Sequence, residues 1–132
     1  MQTKKIRWLI YTVLVGLIPI VSRCFVWMVT NAGTVDPLAA ADFVAFGLVL
    51  HTATINELDR LSTDNSSWKV IHTGLAVSCV AFYSVLYSIG LVGDKIVDQR
   101  ALTFCATLMA LFSFLLNYSV FVQLDKAPQE EC

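Results

Sequence analysis

The sequence predicts an all-α membrane protein: four transmembrane helices folded as one antiparallel bundle, with both termini in the cytoplasm. Three observations predict it. Four apolar blocks, near residues 6–29, 38–55, 68–92 and 101–124, take up most of the 132 residues, and each matches the ~20 helical residues needed to cross a hydrocarbon core of ~30 Å at ~1.5 Å per residue. Hydrophobic residues make up 57% of the chain and charged ones 14%, with a mean hydropathy of +0.69, far from the balance of a soluble domain. Lys and Arg are divided unevenly between the two sets of block ends, which is what orients a membrane protein.

The first block follows Lys4, Lys5 and Arg7. It is longer than the ~7–15-residue core of a secretory signal and has no small-x-small cleavage site after it, so it reads as an uncleaved span. Trp8 and Trp27 fall at its two ends, where amphipathic rings sit at the membrane interface. Pro19 removes the donor for the Val15 carbonyl, with Gly16 beside it, and predicts a kink. The second block opens on Asp36-Pro37, an N-cap followed by a first-turn proline. Beyond its apolar end, Ile55, Leu58 and Leu61 recur at three-residue spacing while Asn56, Glu57, Asp59 and Arg60 face elsewhere, a short amphipathic extension of the helix. Ser66 or Ser67 caps the third block, and Trp68 marks its interface. The fourth runs to a short tail carrying Glu130 and Glu131. The links are too short to hold a further domain, and the chain reads as one unit.

Topology follows from the basic residues. Lys4, Lys5, Arg7, Arg60, Lys69 and Lys126 fall on one side, and Arg23, Lys95 and Arg100 on the other. The richer side is the cytoplasm. Asn65-Ser66-Ser67 matches a glycosylation sequon, but on this topology it faces the cytoplasm and serves as a turn. Net charge is −1, which gives no basic field for nucleic acid. Cys24, Cys79 and Cys105 lie within blocks, Cys132 is terminal, and no Cys-x-x-Cys pair occurs. No metal or cofactor is expected. No His-x-x-x-His or Gly-x-Ser-x-Gly is present, and no nucleophile has a base at suitable spacing, so the chain reads as no enzyme.

Polar groups at membrane depth are the candidate site. Arg23 lies six residues before the end of the first block and Asp42 six residues after Asp36. Both therefore sit ~9 Å below the same boundary on consecutive antiparallel helices. An Arg23–Asp42 ion pair follows, either structural or part of a coupling site; alternatively Arg23 snorkels and Asp42 rests on the positive end of its own helix. Near the cytoplasmic side, His51, His72 and Asn117 reach similar depths and form a second polar layer, fit for a relay or for plain interhelical hydrogen bonds. Asp42 and His51 are nine positions apart, which puts them on opposite faces of one helix, so the second block alone does not line a pore. Small residues at four-residue spacing (Thr12/Gly16, Ala41/Ala45, Gly74/Ser78, Ser84/Ser88, Ala106/Ala110) allow close helix approach, within the bundle or between copies.

Several families of four-span proteins have this length. Small multidrug transporters carry an embedded Glu in the first helix, where this chain has no acid, and the Gly-rich segment of fluoride channels is missing. In size and class alone the chain resembles bacteriocin immunity proteins, holins and the membrane subunits of anti-phage defence systems. The expected function is accordingly a non-enzymatic, homo-oligomeric subunit of the bacterial inner membrane. A soluble cytoplasmic partner would meet it at Asn56, Glu57, Asp59 and Arg60 and at the acidic tail. The alternative is a small ion- or proton-coupled transporter or channel using Asp42, Arg23, His51 and Asn117.

Overall fold

Four α-helices carry the fold: α1 (Gln2–Val29), α2 (Ala40–Arg60), α3 (Ser66–Gly90) and α4 (Gln99–Lys126). The computed structural model describes residues 2–60, 66–93 and 95–126. Leu61, Asn65, Glu130, Glu131 and Cys132 lie outside the described residues.

Local chemistry sets the helix ends. The Asp98 carboxylate accepts the backbone N–H groups of Arg100 (3.0 Å) and Ala101 (3.4 Å), capping α4 by satisfying donors that have no partner within the helix. Gly33 and Gly93 take positive φ, 87° and 97°, in the links before α2 and α4, a conformation that costs glycine little. The start of α2 differs from the expected Asp36-Pro37 cap. The helix begins at Ala40, where the Asp42 N–H reaches the Ala39 carbonyl at 3.1 Å, while the Pro37 carbonyl accepts the Cys24 thiol at 3.7 Å. α1 runs as one helix through Pro19.

α2 is the central element. It packs against α1, α3 and α4, whereas α1 and α3 make no contact with one another among the described residues. Its sequence is buried on several sides, from Asp42 and Val44 to Leu50, His51, Thr54 and Leu58. No large apolar side chain of α2 is exposed, whereas α1 exposes Leu14, Ile18 and Phe25, α3 exposes Val77, Phe82 and Val85, and α4 exposes Phe104, Leu111 and Leu115. Among the described residues, three helices are long and apolar enough to cross a membrane, over Ile6–Val29, Ser67–Gly90 and Gln99–Leu124; α2 is not among them. Its charged and polar residues dilute its apolarity because its neighbours, rather than the surroundings, cover it.

The faces that cover α2 have helical spacing. On α4, Leu102, Ala106, Ala110, Ser113, Asn117, Val120 and Leu124 are buried, recurring at intervals of three and four as one helix face requires. On α3 the same spacing gives Ala76, Cys79 and Tyr83. Three apolar clusters line the bundle. Ala40 joins Leu102 and Ala106 with Leu86 at one end. Phe46, Leu50 and Ala110 meet Val13, Leu17 and Ile20 in the middle. Leu58, Val120, Leu124 and Trp68 form the third. Gly16 brings α1 close to α2: a Cβ there would lie 2.8 Å from the Phe46 ring.

Candidate functional site

α2 carries two polar stations. Near its N-terminus the Arg23 guanidinium of α1 donates to the Asp42 carboxylate in an ion pair. Asp42 lies in the first turn of α2, where the unpaired N–H groups and the helix dipole favour a carboxylate. The pair is unequally sheltered, with the Arg23 side chain 33% exposed and that of Asp42 12%. The arginine therefore keeps part of its charge in contact with the surroundings while it neutralises the acid, an arrangement that lowers the desolvation cost of a charge at membrane depth.

The second station lies about two and a half turns further along α2, on its opposite side, and is made of neutral groups. His51 Nε2 lies 2.8 Å from Ser113 Oγ on α4, and Ser113 Oγ lies 2.8 Å from Tyr83 Oη on α3. All three residues are buried, Ser113 and Tyr83 completely. When Tyr83 donates to Ser113 and Ser113 donates to His51 Nε2, both hydroxyl protons are used, and the neutral imidazole carries its own proton on Nδ1. The rings of His51 and Tyr83 are 6.0 Å apart between centroids and tilted by 46°. Gly47 makes this possible. A Cβ at that position would fall 2.0 Å from Tyr83 Cζ and 2.3 Å from its hydroxyl oxygen, so the phenol lies directly against the α2 backbone.

One turn further, the Thr54 hydroxyl lies 2.6 Å from Asn117 Oδ1 on α4 and 2.9 Å from the Leu50 carbonyl of its own helix. Asn117 is 1% exposed, and its Nδ2 is buried without a hydrogen-bond partner among the described residues. A small cavity of about 10 Å³ is lined by His51, Thr54, His72 and Asn117 among others. His72 Nδ1 donates to the Trp68 carbonyl at 3.0 Å, and its ring lies 4.5 Å from that of Trp68. His51, His72 and Asn117 thus share one cavity, but each takes its direct hydrogen bond from another residue: Ser113, Trp68 and Thr54.

Sequence reasoning passed over Tyr83, Ser113, Thr54 and Gly47. Two of them, Ser113 and Tyr83, carry a signal in the sequence. Ser113 precedes Asn117 by one helical turn on the same face. Tyr83 stands deep inside an apolar block rather than at the interface its amphipathic ring prefers, and a buried phenol needs a hydrogen-bond partner.

The amphipathic end of α2 has the expected sidedness. Leu58 is fully buried against Trp68, Val120 and Leu124, while Asn56, Asp59 and Arg60 are exposed and Glu57 is half-buried. Of the small-residue pairs, Thr12/Gly16 and Ala106/Ala110 are buried, whereas Gly74/Ser78 and Ser84/Ser88 are exposed on α3. The serines of the exposed pairs bond the carbonyls one turn back in their own helix. No group of three His, Cys, Asp or Glu side chains comes together as a metal site among the described residues.

The three long apolar helices, with their uncovered apolar side chains, suggest a multi-pass membrane protein. No protein-family model, curated protein or solved structure matches the chain.

Proposed function

We propose that the chain is a non-enzymatic, four-span membrane subunit in which α2 is a sheltered polar post. It assembles with further copies and with a soluble partner at the cytoplasmic end of α2. The carrying observation is the build of that end. Leu58 is locked into a cluster with α3 and α4 while Asn56, Asp59 and Arg60 stay exposed, so the bundle holds a polar surface rigidly instead of leaving it on a floppy link. An antiparallel arrangement is supported by the end clusters, which pair the start of α2 with the start of α4 and the end of α3, and the end of α2 with the end of α4 and the start of α3. The shelter around α2 supports its crossing the membrane despite its composition, because buried polar groups avoid lipid. The excess of Lys and Arg on the side of the termini supports their cytoplasmic placement.

The transporter or channel reading draws on the same buried polar groups. It fares less well because Phe46 and Leu50 fill the stretch of α2 between the two stations in an apolar cluster. Two measurements separate the readings. Liposomes containing only this chain should show no ion or proton flux, and flux from the purified chain overturns the subunit reading. A soluble protein should copurify with the chain from membranes, and the triple substitution Asn56→Ala, Asp59→Ala, Arg60→Ala should abolish copurification without changing the amount of chain in the membrane. Unchanged copurification would remove the docking surface from the proposal.

A further inference from the structure

We infer that the cavity between α2, α3 and α4 is a binding site for one water molecule, held by Asn117 and His72 and joined to the His51–Ser113–Tyr83 run. Hydroxyl protons are too few for the acceptors around Thr54. Thr54 has one, yet two acceptors are in reach, the Leu50 carbonyl at 2.9 Å and Asn117 Oδ1 at 2.6 Å. If Thr54 donates to Asn117, the amide NH₂ is left with no acceptor. If the amide is turned over, Asn117 donates to Thr54, Thr54 donates to Leu50, and the amide oxygen is left instead. Either way, one polar atom of a side chain that is 1% exposed has no partner among the described residues, and Asn117 lines a cavity. Leaving such a group unmatched forfeits the hydrogen bonds it makes to water in the unfolded chain.

The ligand must therefore be able both to donate and to accept, and it must be very small. The cavity volume is about 10 Å³, close to the lower limit of ~10–15 Å³ for one water, which also needs two to four polar partners. The lining supplies them. Besides Asn117, the cavity is bordered by His51, whose Nε2 is engaged with Ser113, leaving Nδ1. It is also bordered by His72, whose Nδ1 is engaged with the Trp68 carbonyl, leaving Nε2 as an acceptor. A water accepting from the Asn117 amide and donating to His72 Nε2 satisfies the orphaned group. It also links α3 and α4 across the cavity, and by accepting the His51 Nδ1–H as well it extends the polar run of Tyr83, Ser113 and His51 to His72. The remaining lining, Leu75, Ala76, Leu116 and Val120, is apolar, so the molecule is held from the polar side of the pocket.

The test uses the full chain in lipid nanodiscs, labelled with ¹⁵N on asparagine. Replacing Asn31, Asn56 and Asn65 by Ser leaves Asn117 as the only asparagine, so its amide signals are assigned without altering the cavity. The expected result is a dipolar cross-peak between the Asn117 amide protons and water, of opposite sign to chemical exchange in the rotating frame, with amide exchange into D₂O slowed at least tenfold relative to an exposed asparagine. In His72→Phe the same cross-peak should be lost while the amide protons stay slow to exchange. A cross-peak to a protein proton in place of water overturns the site, as does the absence of any dipolar water cross-peak on slowly exchanging amide protons. Fast exchange overturns the buried setting itself. A water cross-peak that persists undiminished in His72→Phe overturns the bridging role of His72.

Discussion

The two polar stations on α2 solve the same problem in opposite ways. Arg23 and Asp42 are full charges near a helix end, one of them a third exposed, and they join only α1 to α2. His51, Ser113, Tyr83, Thr54 and Asn117 are neutral groups, each no more than 4% exposed, and they join α2 to both α3 and α4. The difference follows from where each type is tolerated. A charge is stabilised by a partner together with a route for its polar head towards water, so it belongs near an end. A neutral donor or acceptor is stabilised by geometry alone, so it belongs in the packed interior, where the alternative is an unsatisfied group. Disrupting the two stations should therefore have unequal consequences.

The largest effect is expected at Gly47→Ala. The new Cβ would overlap the Tyr83 ring, and moving the ring breaks its hydrogen bond to Ser113. Overpacking and an orphaned hydroxyl together should cost about 3 kcal/mol, read as a lower midpoint for unfolding in mixed micelles. A double-mutant cycle sharpens it: Tyr83→Ala should cost less on top of Gly47→Ala than alone, because the two share one contact. Equal cost in both backgrounds would separate the glycine from the tyrosine. Next comes Ser113→Ala, which removes the centre of the run and leaves both Tyr83 and His51 without that partner; about 2 kcal/mol is expected. Tyr83→Phe orphans nothing buried beyond one serine lone pair and should cost under half as much. If Tyr83→Phe proves the more damaging, the hydroxyl protons are not ordered as described.

The ion pair should matter less. Asp42→Ala leaves Arg23 unpaired, but a side chain already a third exposed can turn outward, so about 1 kcal/mol is expected. Replacing both residues by Leu should recover most of it, since removing a pair costs less than breaking it. A loss as large as that from Ser113→Ala would show that Arg23 has nowhere to turn.

The same contrast explains what was legible in the sequence. An Arg and an Asp inside apolar blocks stand out, and equal distance from one boundary sets them side by side. The apolar blocks likewise mark the helices, to within a few residues of their ends; α2 starts at Ala40, three residues after Pro37. His51, His72 and Asn117 were legible as a layer by depth, but depth carries no angle, and their direct partners depend on which face each helix turns inward. Gly47 and Thr54 are ordinary in a hydrophobic helix, and only the approach of α3 and α4 to α2 gives them a role. The central place of α2 was legible least of all. Its lower apolarity is explained only by the cover that the other three helices give it.

The smallest effect on stability is expected at Gly74→Ala, and its sign is informative. Unlike Gly47, Gly74 has nothing within 4 Å of an added Cβ, and it lies exposed on α3 in the same stripe as Ser78. Within a single chain the substitution should be neutral or stabilise the helix by up to ~1 kcal/mol, the ordinary advantage of alanine over glycine in a helix interior. If copies associate through this stripe, the methyl group separates the helix backbones that small residues allow to touch. Gly74→Ala would then raise the unfolding midpoint of the isolated chain while reducing the oligomer seen by cross-linking or single-molecule photobleaching in nanodiscs. Gly16→Ala is the internal reference, since its Cβ meets Phe46 within the same chain and should lower stability. A Gly74→Ala chain that gains stability and keeps its oligomers would move the contact between copies off α3. One that gains stability and loses its oligomers would place the contact on the face that α2 leaves uncovered.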